Sequence, residues 1–440
     1  MAMGNKLKSL ALAIQPASLA AFITAASLSS HPAFALDTFT PSYSFYGFGT
    51  LGVVYSDEDQ ADFVSSWLLQ PNGAGHTHQW HAGVDSKLGG QVNVQVNEHL
   101  SAVLQVVVER QEDNAWTPAI EWANIRYRLN DNVSIRLGRT VLATFMVSDT
   151  RLVGYANPWI RGPQELYQIV PITNIDGVDV IYTRDFGDWR NTLQVTFGQT
   201  NQDLITDGEL RARNSFLLSN SLEYDYATFR LAYLTAHLDL DTPESNALVN
   251  AYNTLSDTLA LIPGLEEAAA QASVMPGRYA LNDAPIEVYS AGLRLEPENW
   301  LFMAEWALVT EANALSKAEA WYTTLGYRFT SVTPYLTLAE VNGDTPQEPG
   351  VSTSGLPPSL ATTVSTMNSG LHQFLSGASH AQKSITLGIR WDFISNAALK
   401  LQYQHVDLDE KSAGRLANVQ PHFEPGNRMN TFSAAIDFVF

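Results

Sequence analysis

ANIRYRLNDNVSIRL, residues 123–137, decides how the rest of the chain is read. Ala123, Ile125, Tyr127 and Leu129 alternate with Asn124, Arg126 and Arg128. Asn130-Asp131-Asn132 makes a turn, and Val133, Ile135 and Leu137 then alternate with Ser134 and Arg136. A period of two puts one set of side chains on each face of a strand, and an Asn/Asp triplet joins two such strands as a hairpin. The rhythm continues on either side. Upstream, Val92, Val94 and Val96 alternate with Asn93 and Gln95, and after Glu98-His99 the pattern resumes through Leu100, Ala102, Leu104, Val106 and Val108.

Segments of this kind number about sixteen, an even count of the sort that closed membrane barrels use. They fall near 43–56, 80–96, 100–110, 118–129, 133–139, 176–186, 189–199, 214–224, 227–238, 285–295, 300–311, 317–329, 333–341, 382–393, 397–407 and 429–440. The connections between them sort into two sets. One is short, as in Asn97-Glu98-His99, Gly187-Asp188, Asp225-Tyr226 and Ile394-Ser395-Asn396. The other is mostly long: 57–79, 140–175, 239–284, 342–381 and 408–428. Short turns on one rim and long loops on the other are what an outer-membrane barrel requires, whereas a soluble sandwich has no need of them.

Residues 1–35 read as a secretory signal peptide. Lys6 and Lys8 precede an apolar run around Leu19-Ala20-Ala21-Phe22-Ile23, and Ala33-Phe34-Ala35 fits a small-x-small cleavage site. The barrel would then occupy 36–440. There is no cysteine, so no disulfide framework supports an exported fold. The formal charge of −20 argues against nucleic acid, which needs clustered Lys and Arg. After residue 35 no apolar run reaches the length of a spanning helix, so the chain can enter a membrane only as a closed barrel.

The C-terminal segment carries the resemblance to a known family. Phe432, Ala434, Ile436, Phe438 and Phe440 share one face, and Thr431, Ser433, Ala435 and Asp437 the other. This terminus, with sixteen strands and a long third outer loop, resembles the general diffusion porins of Gram-negative outer membranes. That resemblance implies a homotrimer in outer-membrane lipid and lipopolysaccharide, inserted by the barrel-insertion machinery through a signal that includes Phe440. It also implies an aqueous pore for small hydrophilic solutes and ions. The Pro-Glu-Phe-Gly-Gly-like turn of such third loops is absent here. Asn157-Pro158-Trp159 and Arg161-Gly162-Pro163 stand in its place, so no eyelet residue carries over by motif.

Residues 140–175 are too apolar for a surface loop and carry Pro158, Pro163 and Pro171, which break any continuous helix. They are expected to fold into the lumen and narrow it. With lipid on the apolar strand face, Lys87, Arg126, Arg128, Arg136, Arg230, Arg294, Arg328, Arg390 and Lys400 fall on the lumen side. The constriction candidates are Arg126, Arg128, Arg136, Arg139, Asp149, Arg151, Arg161, Glu165, Asp176 and Asp179. A pore selects by its narrowest diameter and by the charges that line it. Two readings stand for these groups: filter residues, or rim ion pairs and anchors that tie the loop to the wall. Trp159 and Tyr155 pose the same choice between wall packing and solute contact.

Other clusters are weaker. Loop 239–284 carries Asp239, Asp241, Glu244, Asp257, Glu266, Glu267 and Asp283, and its middle, Ala247 to Ala272, has helical composition. These acids, like Asp57, Glu58, Asp59 and Asp62, would either bind divalent cations against lipopolysaccharide or lie in solvent; neither set has EF-hand spacing. His76, His78 and His81 lack a completing ligand, and no spacing singles out a nucleophilic triad. No metal, cofactor or enzymatic activity is therefore expected. A porin is the reading that results, with a substrate-selective channel tuned to organic anions and a plugged barrel serving as adhesin as the rivals.

Overall fold

The computed structural model describes residues 40–279, 282–311, 317–343, 348–378 and 380–440; the expected signal peptide lies outside them. One sheet contains seventeen strands, of which Trp80–His81 is a two-residue piece. The full-length strands are β1 (Ser42–Ser56), β2 (Lys87–Gln95), β3 (Leu100–Arg110), β4 (Trp116–Arg128), β5 (Val133–Val141), β6 (Asn174–Phe186), β7 (Trp189–Leu204) and β8 (Gly208–Tyr224). They continue as β9 (Ala227–Asp241), β10 (Ala284–Leu295), β11 (Trp300–Glu311), β12 (Ala318–Tyr327), β13 (Val332–Gly343), β14 (Gln382–Ile394), β15 (Ala397–Leu408) and β16 (Arg428–Val439). Each pairs antiparallel with its neighbours in sequence, and β1 pairs with both β2 and β16, so the sheet closes and leaves no edge.

The burial pattern is inside-out. Leu51, Leu104, Ile125, Leu137, Phe197, Leu387 and Ile436 are exposed, while Thr50, Gln105, Thr196, Ser219, Thr337 and Gln402 are buried. A water-soluble barrel would bury the first set. An apolar outer wall over a polar inner one suits lipid outside and water within. None of the described helices is long and apolar enough to cross a membrane.

The seam uses glycine. A Cβ on Gly47 would lie 2.1 Å from the Phe440 ring, and one on Gly49 2.5 Å from Phe438. Only a residue without a side chain lets both rings lie flat across β1. Gly47 and Phe440 also exchange backbone hydrogen bonds of 2.8 and 2.9 Å.

The structure moves several expected boundaries. Residues 200–204 and 208–213 belong to strands, and β7 and β8 meet through the tight turn Ile205–Asp207. The expected second strand starts at Lys87 rather than 80. The acidic loop after β9 is a helical hairpin: α2 (Pro243–Ala260), capped by Thr242 with Pro243 in its first turn, and α3 (Glu266–Tyr279). The connection after β13 holds α4 (Pro358–Ala378). These three helices share an apolar core of Tyr252, Leu255, Leu259, Ala272, Val364 and Leu371, separate from the cluster inside the barrel.

Candidate functional site: the lumen and its inward loop

Residues 142–173, between β5 and β6, turn into the barrel and hydrogen-bond to wall residues far from them in the sequence. Arg230 of β9 donates to Phe145 O, Ser290 of β10 to Thr144 O, and Met146 N to Glu305 of β11. The Trp159 indole, 1% exposed, donates to Thr324 of β12 and Thr337 of β13 at 3.1 Å each. Arg390 of β14 holds Tyr155 O and Asn157 O. Lys400 of β15, fully buried, donates 2.7 Å bonds to Gly154 O and Trp159 O and pairs with Asp437 of β16. Gly154 passes so close to this pair that a Cβ would sit 2.2 Å from Asp437 Oδ1.

The short helix Gln164–Tyr167 within the loop packs by the same logic. Tyr167 donates to Glu305 at 2.9 Å, and Glu165 accepts from Gln382 at 2.7 Å. The hydroxyl of Tyr155 reaches Ser395 O, in the short turn between β14 and β15. The loop therefore lines the wall from β9 round to β16.

The polar inner wall of β2–β7 carries the remaining charges. Lys87 faces Glu109 at 3.5 Å. Arg136 donates to Asp179 at 2.6 Å, and the buried Asp179 also accepts from Thr196 at 2.9 Å. Arg126 stands between Ser101 and Arg136 in the register, and Arg128 beside Ser134; both are exposed. Gln91, Asn93, Thr192 and Gln194 fill the same wall and stay partly exposed.

The candidate residues thus separate. Arg126, Arg128, Arg136 and Asp179 share one patch of inner wall. Asp149 lies on the loop 3.6 Å from Arg230. Arg151 donates to Val170 O, rests 5.8 Å above the Tyr167 ring and is within electrostatic reach of Glu121 and Glu109. Arg161 and Glu165 are anchors: Arg161 binds Asp85 and Ser433, and Glu165 is fully buried. Arg139 and Asp176 correct the expectation. Their bidentate pair, 2.7 Å on both arms, lies on the outer face, because Ile175 and Asp179 point inward and alternation turns Asp176 out.

Of the other inward cations, Arg230, Arg390 and Lys400 hold the loop, while Arg294 and Arg328 bond Glu296 beside the short turn. Trp159 packs against the wall. His78 and His81 stack with ring centroids 6.5 Å apart, and His81 Nδ1 accepts from Gly83 N. Among the described residues no set of His, Asp and Glu could hold a metal ion. The acids of loop 239–284 are dispersed: Asp239 and Asp283 bond Arg213, and Glu266 accepts from Gly264 N. Asp57 and Asp62 are structural, bonded to Asn430 and to Thr77 and Asn418.

Sequence reasoning missed Asp85, Glu305, the Thr324/Thr337 pair and the Lys400–Asp437 pair as receivers of the loop. Polar residues on the inner face of strands were the only signal of them. It also missed that the inner wall of β8–β13 turns apolar toward its long-loop end, with Ala212, Leu234, Ala236, Ile286, Val288 and Val341 buried.

No family model and no curated protein matches the sequence. Solved structures do. The chain is similar to the anion-selective porin from Comamonas acidovorans, at 11% identity over 91% of this chain and 100% of that one, with a TM-score of 0.53. It is likewise similar to Salmonella typhi OmpF in complex with daunomycin, at 11% identity over 90% and 97% of the two chains, with a TM-score of 0.51. At such identity the likeness concerns the fold, and the chain has the sixteen-stranded barrel of the porins.

Proposed function

We propose that this chain is an outer-membrane channel through which small hydrophilic solutes and ions diffuse passively. One observation carries the reading: the inner wall of β2–β7 is polar and partly exposed, and apart from the bond of Glu121 to Thr173 at the root of the loop it carries none of the anchoring bonds that bind the loop to β9–β16. An aqueous path between that wall and the loop would be narrowed by the loop and biased by its charges. Lys87, Arg126, Arg128, Arg136 and Arg190 stand there with Glu109, Glu121, Asp179 and Asp185, and Arg126 and Arg128 enter no ion pair among the described residues, which favours small anions, organic carboxylates included. The remaining expectations accompany this reading: a cleaved signal peptide, a homotrimer, contact with lipid and lipopolysaccharide, and no catalysis.

Planar-bilayer recording of the purified protein tests it. Stepwise opening currents are expected, with a reversal potential in a salt gradient that reports anion preference. Arg126→Ala should move that potential toward cations; Arg126 enters no ion pair among the described residues, so its removal leaves no buried partner charge. A barrel that passes no current would be plugged, and the channel reading would fall. Unchanged selectivity in Arg126→Ala would remove this arginine from the filter.

A further inference from the structure

Between the inward loop and the helices α2 and α4 lies a cavity of about 750 Å³, within the range of small-molecule sites. Ile172 of the loop forms its floor, Leu234, Ala236 and Val288 its wall, and Leu248 and Phe374 its roof. It sits where the apolar core of the barrel and that of the helical cap fail to meet. A pore built only for hydrophilic solutes has no use for an apolar chamber on its entry side.

One end of the chamber is different. Arg415 and Trp67 line it there, and both present a buried donor without a partner: the Arg415 Nε and the Trp67 indole Nε1. Arg415 is 4% exposed; its Nη1 reaches Gln168 O at 3.2 Å, and it enters no ion pair among the described residues. Trp67 stacks on His380 with ring centroids 4.1 Å apart, and His380 is tied to Gly414 O. The Glu165 carboxylate acts on Arg415 electrostatically; it accepts from Gln382 and lies outside the cavity lining. Buried donors left unpaired are costly, and a charged acceptor relieves that cost best.

We propose that this chamber binds a monocarboxylate with an apolar chain, its head on Arg415 and Trp67 and its chain along Leu234, Ala236 and Val288. The inference does not rest on the barrel conducting, since it concerns equilibrium binding.

Equilibrium dialysis of radiolabelled decanoate against the full barrel in lipid nanodiscs, corrected with barrel-free discs, tests it. Saturable binding near one per chain is expected. Affinity should rise about fourfold for each added methylene from octanoate to decanoate, as transfer of a CH₂ from water predicts. Ala236→Phe fills the chamber and should weaken decanoate at least tenfold while the heat-modified gel mobility of the folded barrel stays as in the parent. Arg415→Gln should weaken decanoate about tenfold and leave decanol unchanged. Should Arg415→Gln fail to fold, comparison of decanoate with decanol on the parent carries the head-group assignment. Binding no greater than to barrel-free discs, binding indifferent to Ala236→Phe, or decanol bound as tightly as decanoate would each overturn the proposal.

Discussion

The two halves of the lumen use the same residue types for opposite ends. On β9–β16, three inward cations are spent on backbone carbonyls of the loop: Arg230 on Phe145, Arg390 on Tyr155 and Asn157, Lys400 on Gly154 and Trp159. On β2–β7, Lys87, Arg126, Arg128 and Arg136 face acids or open space. An inward arginine therefore says little by itself. Whether it faces an orphan carbonyl decides between scaffold and filter, because a buried loop must find partners for its own backbone.

Lys400 offers the largest test of that contrast. Lys400→Ala leaves Asp437 and two carbonyls buried without their cation, and breaking a buried pair in this way costs about 3–5 kcal/mol. A lower temperature for loss of the folded gel mobility is expected, together with larger and noisier single-channel currents as the loop leaves the wall. Unchanged currents would mean that the loop does not set the aperture.

Arg126→Glu probes the other half. A solvated charge about 4 Å from a passing ion is worth about 1 kcal/mol in water, so reversing it shifts each ion by about 2 kcal/mol in opposite directions, and the ratio of anion to cation permeability should fall by at least about tenfold. The melting temperature should not move. A stability loss like that of Lys400→Ala would place Arg126 among the scaffold residues instead.

A smaller effect concerns the seam between loop and cap. Burial first, and the charge of Arg415 second, hold the His380 imidazole well below its usual range. The unfolded chain takes up that proton near pH 6.5, so below this pH the unfolded state binds more protons. The contribution is complete above about pH 6.5 and is lost as the pH falls. Melting followed at pH 5 and pH 7.5 should differ less in His380→Gln than in the parent; an equal difference would show that His380 is not the group responsible. Smallest of all is Arg139→Ala, on the outer face, which should leave the reversal potential where it was. A shift would return Arg139 to the pore.

Most of the architecture could be read from alternation. Strand faces in 123–137 follow from residue order because a strand side chain has only two directions to choose from. The inward course of 140–175 was legible for a related reason: sixteen large apolar side chains and three prolines have nowhere else to go. The site was harder. Arg139 and Asp176 sit at strand ends, where a shift of one residue reverses the face, and placing the fifth and sixth strands two residues too short hid their outward turn. The apolar chamber was hidden by chemistry. In Leu231-Ala232-Tyr233-Leu234-Thr235-Ala236 both faces are largely apolar, so nothing marks which one meets lipid. The helical cap showed as helical composition in Ala247 to Ala272, but its packing on α4 depends on residues about a hundred positions apart.

Because α2, α3 and α4 carry a hydrophobic interior of their own, the roof of this molecule is a semi-independent building. Its joints with the cylinder below are the connections after β9 and β13, and its outer surface answers to whatever meets the cell rather than to the traffic beneath. Substitutions there can accumulate without touching the wall, and heat can unmake the cap while the staves of the barrel still hold.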